Sequence, residues 1–272
     1  MSAGSHTRAF VTVVTVSLDA ADTIRDTLHS VISQRCSFPI EHICVDGGSK
    51  DGTRALIDEF ASRNPLLIRI YEPDRGLFDA MNKGLRAATG EYVLFLNADD
   101  FLIGQDSVER ALSPAWSSGG KPDMIMCDVV MGQLDRFGVW RHRKVPRWLV
   151  RMPRLGAHPP HQGNFIKRSL LLDAGGFDAE QRLAADTTQF YKLVFGFRPT
   201  LQRSGTALTF MRSGGASNAG LRSHGKGNRE TYRFLRQYLP SFCSAAAVAV
   251  KLAQKVPEFR LGTLRRTNLL AE

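Results

Sequence analysis

Between Glu72 and Asp100 the chain reads Glu-Pro-Asp-Arg-Gly-Leu-Phe-Asp-Ala-Met-Asn-Lys-Gly, then a short spacer, then Phe-Leu-Asn-Ala-Asp-Asp. A polar, glycine-punctuated segment opens a helix. The helix feeds an apolar run, Tyr92 to Leu96, that reads as a buried strand and stops abruptly at Asn97, Asp99 and Asp100. Carboxylates at the carboxyl end of a buried strand lie where open α/β sheets bind ligands. Hard oxygen donors there suit Mg²⁺ or Mn²⁺ bridging phosphates, which points to chemistry on a nucleotide diphosphate.

The preceding residues repeat the alternation. Phe10 to Ser17, Ile40 to Val45 and Leu67 to Tyr71 read as buried strands. Helical spacing over Ala20 to Gln34, Thr53 to Ser62 and Phe78 to Ala88 separates them, with Gly90 just past the last helix. Strands alternating with helices imply right-handed crossovers and a mostly parallel sheet. After Asp100 the rhythm weakens. Helices are expected over Ser107 to Leu112, Ser169 to Ala174 and Thr187 to Phe195. Strands are expected over Asp123 to Val130 and Asn164 to Ile166, with loop or short helix from Lys144 to Pro160. Gly214-Gly215 and Gly225 to Gly227 read as mobile loops, and Thr231 to Tyr238 and Ser244 to Val256 as terminal helices.

Charge is distributed unevenly over the 272 residues, whose formal net charge is +10. Residues 136–154 hold seven Arg or Lys and no acid, and residues 221–272 hold ten against three Glu. This surplus favours an anionic partner: a nucleotide sugar, an anionic membrane surface or nucleic acid. No aromatic–basic binding motif or zinc spacing supports nucleic acid. Cys36, Cys44, Cys127 and Cys243 lack CxxC spacing and read as reduced thiols of a cytoplasmic protein. Residues 1–8 read as a flexible start without a signal-peptide core. No apolar run reaches the roughly 20 residues that span a bilayer.

The chain resembles family 2 glycosyltransferases, in particular bacterial enzymes of exopolysaccharide, colanic-acid-type or glycolipid assembly. The resemblance rests on Val11-Thr-Val-Val-Thr-Val-Ser-Leu-Asp, Val45-Asp-Gly-Gly-Ser-Lys-Asp-Gly-Thr53, the Glu72 to Gly84 segment and Leu96-Asn-Ala-Asp-Asp100. It continues through His161-Gln162, Gly176-Phe-Asp178, Ala185-Asp186 and Ser213-Gly-Gly-Ala-Ser-Asn218. It implies an α/β GT-A fold, a Rossmann-like sheet flanked by helices. A catalytic domain is expected over residues 9–220, its donor half over 9–100 and its acceptor half over 101–220. A basic C-terminal helical extension would follow over 221–272. It also implies inverting transfer from a UDP- or GDP-linked sugar to a glycan or lipid-linked acceptor, in the cytoplasm or on the inner face of its membrane.

The same resemblance assigns the sites. Asp46, beside Gly47, would contact the nucleotide base, with Asp19 close by. Asp74, Arg75, Asp79, Asn82 and Lys83 would surround the nucleotide sugar. Asn97-Ala98-Asp99 stands at the family's DxD, with Asp99 as the ligand of Mg²⁺ or Mn²⁺ and Asn97 on ribose or sugar. Asp186 would be the general base, His161 and Gln162 would line the acceptor side, and His224 is a further metal candidate. Two departures stand out: Leu18-Asp19 replaces a more usual Tyr-Asn, and Thr187 replaces an aromatic residue. A nucleotidyltransferase would share the α/β and metal logic. It normally carries a glycine-rich basic loop after its first strand, where this chain has Ser17-Leu-Asp-Ala-Ala-Asp-Thr. No GxGxxG follows that strand either, which argues against a dinucleotide oxidoreductase. A non-catalytic scaffold of the same fold is the remaining alternative.

Overall fold

The computed structural model describes residues 10–117, 119–155, 160–181, 184–213, 221–253 and 259–271. Its first third is β1 (Val11–Ser17), α1 (Ile24–Ile32), β2 (Ile40–Asp46), α2 (Thr53–Ala61), β3 (Leu67–Tyr71), α3 (Leu77–Ala87) and β4 (Tyr92–Asn97). These strands pair in parallel in the order β3-β2-β1-β4. The chain winds outward from β1 to β3 and then returns to the other side of β1. The gap between β1 and β4 is therefore a topological switch point, where open sheets bind ligands. Ser17 is in register with Asp46, and Val16 with Asn97, so these residues share one carboxyl edge.

Alternation along β1 sends its side chains to two cores, as a sheet covered on both faces requires. Val14 and Val16 pack with Phe78, Met81 and Leu85 of α3. Val11 and Val13 pack with Val31, Leu94 and Leu112 on the opposite face. The close seat of α3 depends on Gly84, because a Cβ there would fall 2.3 Å from a Val14 methyl carbon.

The second half adds β5 (Phe101–Leu102), α4 (Ser107–Ser117), β6 (Met124–Gly132), β7 (Phe137–Arg143) and α5 (Arg147–Arg151). A 3-10 turn, His161–Gly163, leads into β8 (Asn164–Lys167), α6 (Arg168–Asp173) and α7 (Ala185–Lys192). A π turn over Leu193–Phe197 precedes β9 (Leu201–Arg212), α8 (Leu221–Leu235), α9 (Ser241–Ala253), β10 (Phe259–Thr263) and α10 (Arg266–Ala271). Strand β8 runs antiparallel between β4 and β6, and β7 and β10 continue the sheet beyond β6. Strand β9 lies parallel to β6 and reaches back to β5.

The first seven expected elements are present, with one shortened. Helix α1 starts at Ile24 instead of Ala20, because the preceding segment is tied to the β2–α2 loop. The amides of Ala20 and Ala21 donate to Thr53 Oγ1 and Asp51 Oδ2 at 2.8 and 2.9 Å. Gly225 to Gly227, expected as a loop, lie inside α8. Two interior glycines cost a helix about 2 kcal/mol. Burial of Thr231 and Leu235 against the main core offsets that cost. Strand β9, twelve residues long, was not expected: it carries Arg203, Ser204 and Gly205 and breaks register with β6 near Asp128, so it shows no clean alternation. The C-terminal stretch is not purely helical, since β10 joins the sheet edge on β7.

Candidate functional site

A cleft of about 470 Å³ opens at the β1–β4 switch point. Asp19, Asp74, Asn97, Asp99, Gln162 and Arg212 give it its polar wall. The β4 edge is braced from behind: Thr27 Oγ1 donates to the carbonyls of Ala98 and Asp100 at 3.0 and 2.6 Å.

Asp99 and Asp100 differ in role. Asp100 is buried, accepts from Gln162 Nε2 at 2.9 Å and from the Arg212 amide at 3.1 Å, and so ties the turn to β9. Burial, then the neighbouring Asp99 charge, pushes its carboxyl well above the usual carboxylate range. Burial also raises Asp99, while its own amide and the Arg212 and His161 side chains pull it partly back. Among the described residues no other residue donates a hydrogen bond to the Asp99 carboxylate.

Asp46 sits one strand away and is fully buried. It accepts from Ser17 Oγ, the Gly48 and Ser49 amides, Ser49 Oγ and Arg54 Nε at 2.5–3.1 Å. Burial alone would raise its carboxyl, but the Ser49 and Arg54 donors outweigh it and hold the group below its usual range. Asp46 thus orders the loop whose Ser49 and Lys50 hold Asp19, without itself forming the cleft wall. Asp19 does form it, at a φ of +48°, and accepts from the Lys50 amide at 2.8 Å. Leu18 beside it is 60% exposed, so an apolar surface stands where the family more often has Tyr. Gly47 is needed for space: a Cβ there would fall 2.1 Å from Asp74 Oδ2.

The α3 residues divide. Asp74 lines the cleft and accepts from the Gly76 amide at 2.9 Å. Asp79 accepts from the Arg75 amide at 3.1 Å, and the Arg75 side chain is largely exposed. Asn82 faces away from the cleft, donating to the Phe177 carbonyl at 2.8 Å and accepting its amide at 2.9 Å. Lys83 donates to the Pro73 carbonyl at 2.5 Å and lies 3.5 Å from Glu72. Lys83 is therefore a brace of the Pro73–Leu77 wall, and Asn82 ties α3 to the segment after α6.

His161 links the cleft to α7. Its Nε2 lies 3.4 Å from Asn97 Oδ1, and its Nδ1 lies 3.8 Å from Asp186 Oδ2. Asp186 Oδ1 accepts from the Thr187 amide at 2.6 Å, so one oxygen is held by the first turn of α7 while the other faces the imidazole. Arg212 and Thr27 were missed from sequence. The only signal for Arg212 is its place directly before Ser213-Gly-Gly. His224 lies in α8, with its side chain outside the described residues, as are residues 214–218 of the last motif.

Among the described residues no group of three or more His, Cys, Asp or Glu could hold a metal unaided. The donor set fits a shared ion instead. Mg²⁺ is commonly held by one or two carboxylates with water and substrate phosphates completing the shell. Asp99, with no other residue on its carboxylate, fits that role. Among the described residues the buried Oε1 of Gln162, in the same wall, also has no hydrogen-bond partner.

The fold matches that of residues 1–349 of TarS from S. aureus, crystallised with UDP-GlcNAc, with a TM-score of 0.66 at 18% identity over 95% of this chain and 74% of that one. It also matches the mannosyltransferase PcManGT of Pyrobaculum calidifontis in complex with GDP-Man and Mn2+, with a TM-score of 0.62 at 21% identity over 92% and 72%. These likenesses and the sheet order define a GT-A fold. The glycosyl transferase family 2 profile matches residues 12–174, more than half of the chain, which therefore belongs to glycosyl transferase family 2. It is 34% identical over 177 residues to an uncharacterized glycosyltransferase of Mycobacterium tuberculosis, covering 65% of each chain. A PGL/p-HBAD biosynthesis glycosyltransferase of Mycobacterium bovis is 32% identical over 177 residues, 64% of this chain and 65% of that one. The putative teichuronic acid biosynthesis glycosyltransferase TuaG of Bacillus subtilis is 41% identical over 107 residues, 39% and 41% of the two chains. The match thus spans 65% of the length of the mycobacterial relatives.

Proposed function

We propose that this chain transfers a sugar from a nucleoside-diphosphate donor, UDP- or GDP-linked, to a hydroxyl of a glycan or lipid-linked acceptor in polysaccharide or glycolipid assembly, with inversion at C1. The observation that carries this reading is the path from the acid-lined cleft at the switch point, through Asn97 and His161, to Asp186.

The residues divide the work by position. Asp19, Asp74 and the apolar Leu18 bound the nucleotide end of the cleft. Asp99 would hold Mg²⁺ or Mn²⁺ together with the donor's diphosphate. When bound, such an ion supplies positive charge to the departing diphosphate. Asn97 stands between that point and His161, at the place for a ribose or sugar hydroxyl. The acceptor oxygen forms a bond to C1 as the bond from C1 to the diphosphate oxygen breaks. Asp186 Oδ2 takes the acceptor's proton, and an inverting displacement needs no second carboxylate. The Thr187 amide holds Asp186 Oδ1, and His161 Nδ1 stands 3.8 Å from Oδ2. On this reading residues 9–100 serve the donor and residues 101–220 the acceptor.

The test is transfer from UDP- and GDP-sugars to a panel of glycan and lipid-linked acceptors by wild type and Asp186→Asn. One donor class should be turned over, and the variant should bind that donor without transferring it. Equal transfer by both would remove Asp186 from the mechanism, and a folded chain that binds no nucleotide sugar would leave the scaffold reading.

A further inference from the structure

Helix α9 has two unlike sides. Ser244, Ala247, Val248 and Lys251, spaced three and four apart, turn toward the protein and are buried or half-buried. The other side exposes Phe242, Ala245, Ala246, Ala249, Val250 and Leu252 without a charged residue. Phe242 is 84% exposed. Scattered apolar side chains on a surface need no explanation, but a whole uncharged helix face does.

The surroundings say what would cover it. Tyr238, 42% exposed, stacks on Phe195 at 5.1 Å, and the Arg154 guanidinium lies over the same Phe195 ring at 5.1 Å. Arg151 of α5, Arg233 of α8 and Arg236 are also exposed. Residues 136–154 contain no acid, and residues 195–253 contain only Glu230. We propose that the exposed face of α9, with the arginines and aromatics beside it, docks on an anionic phospholipid bilayer. An apolar helix face flanked by cations lies in the plane of a membrane interface, and anionic headgroups strengthen it. A second copy of the chain would bring the same cations against these and be repelled. No helix among the described residues is long and apolar enough to cross a membrane.

Docking bears on the reaction through one bond. Lys251 Nζ donates to Thr187 Oγ1 at 3.3 Å, which fastens α9 to the turn that carries Asp186. The surface therefore sets the acceptor side of the site near the headgroups and favours a lipid-linked hydroxyl. That last step rests on the transfer reading above; the docking itself does not.

The test is co-sedimentation of the full chain with phosphatidylcholine vesicles, with and without phosphatidylglycerol, at low and high salt. Binding is expected only with phosphatidylglycerol and should weaken with salt. Phe242→Glu and the pair Arg233→Glu with Arg236→Glu should each lower partitioning at least about tenfold. Unchanged circular dichroism and nucleotide-sugar binding in solution would show that the variants fold. No binding to either vesicle, binding indifferent to both sets of substitutions, or self-association lost on Phe242→Glu without vesicle binding would overturn the proposal. Loss of all donor binding alongside intact docking would instead count against the transfer reading.

Discussion

Arg212 Nη2 donates to Asp26 Oδ2 at 2.5 Å while Nη1 donates to the Asp99 carbonyl at 2.6 Å. The buried carboxylate of α1 and the acidic turn after β4 are thus joined by a single side chain from β9. Arg266 of α10 bonds the other oxygen of Asp26. One carboxylate anchors both late elements to the first helix. Removing one partner of a buried ion pair typically costs about 3–5 kcal/mol, because the other charge is left uncompensated. Asp26→Ala and Arg212→Ala are expected to lower stability toward that range in urea unfolding. Arg266→Ala should cost about 1 kcal/mol, since its side chain is half exposed. Arg212→Ala should also weaken donor binding, because the Asp99 peptide loses its brace.

Proton linkage at Asp99 gives a pH signature. Burial raises its carboxyl, so protons compete with a cation at higher pH than at an ordinary aspartate. Metal-dependent donor affinity should rise with pH through that elevated pKa, with uptake of the ion releasing a proton, and then level off. Calorimetry in buffers of different ionisation enthalpy reads both effects. Asp99→Ala should remove the metal dependence and the pH dependence together.

Asp46 predicts a dependence of the same sign at lower pH, in stability. Its folded-state pKa is depressed, so its contribution is fully present above the unfolded value, about 4. That contribution is lost as pH falls through the lower, folded value. Asp46→Ala strands several donors and should destabilise by about 2–4 kcal/mol at neutral pH. The difference from wild type should shrink on acidification, as thermal unfolding across pH would show.

Asp186→Asn separates chemistry from binding. A positioned general base commonly contributes about 10²–10⁴-fold to rate. The variant should lose kcat on that scale and keep donor affinity within about twofold, as single-turnover transfer and donor titration would show.

Gly47 and Asn82 test which parts of the motifs touch ligand. Gly47→Ala forces the Asp74 carboxylate aside and should weaken donor binding with little loss of fold. Asn82→Ala breaks two bonds to Phe177 and should lower stability by about 1–3 kcal/mol, with little change in donor affinity.

The first hundred residues were legible because their signals are local. β-branched runs such as Val11 to Val16, fully buried strands and glycine-marked turns announce a parallel sheet, and carboxyl-edge acids follow from it. The chain beyond Asp100 was less legible because its contacts are long-range. Strand β9 is polar in its first half and is a strand because β6 pairs with it; Gly225 to Gly227 are helical because Thr231 and Leu235 of the same helix are buried. The motifs named Asp19, Asp74, Asn97 and Asp99, which line one cleft, but gave no sign that His161 approaches Asp186. The bracing roles of Asn82, Lys83 and Asp46 did not emerge from them either, since only packing shows which way a polar side chain is already spent. Arg212 escaped notice because a lone arginine in a basic chain carries no pattern.

The most direct test of the cleft is a titration of wild type and Asp99→Ala with UDP- and GDP-sugars, with and without Mn²⁺. The account predicts that one donor class binds wild type in a metal-dependent way and that the variant loses this dependence. Metal-dependent binding of equal strength in both proteins, or no binding of either donor class to folded wild type, would contradict it.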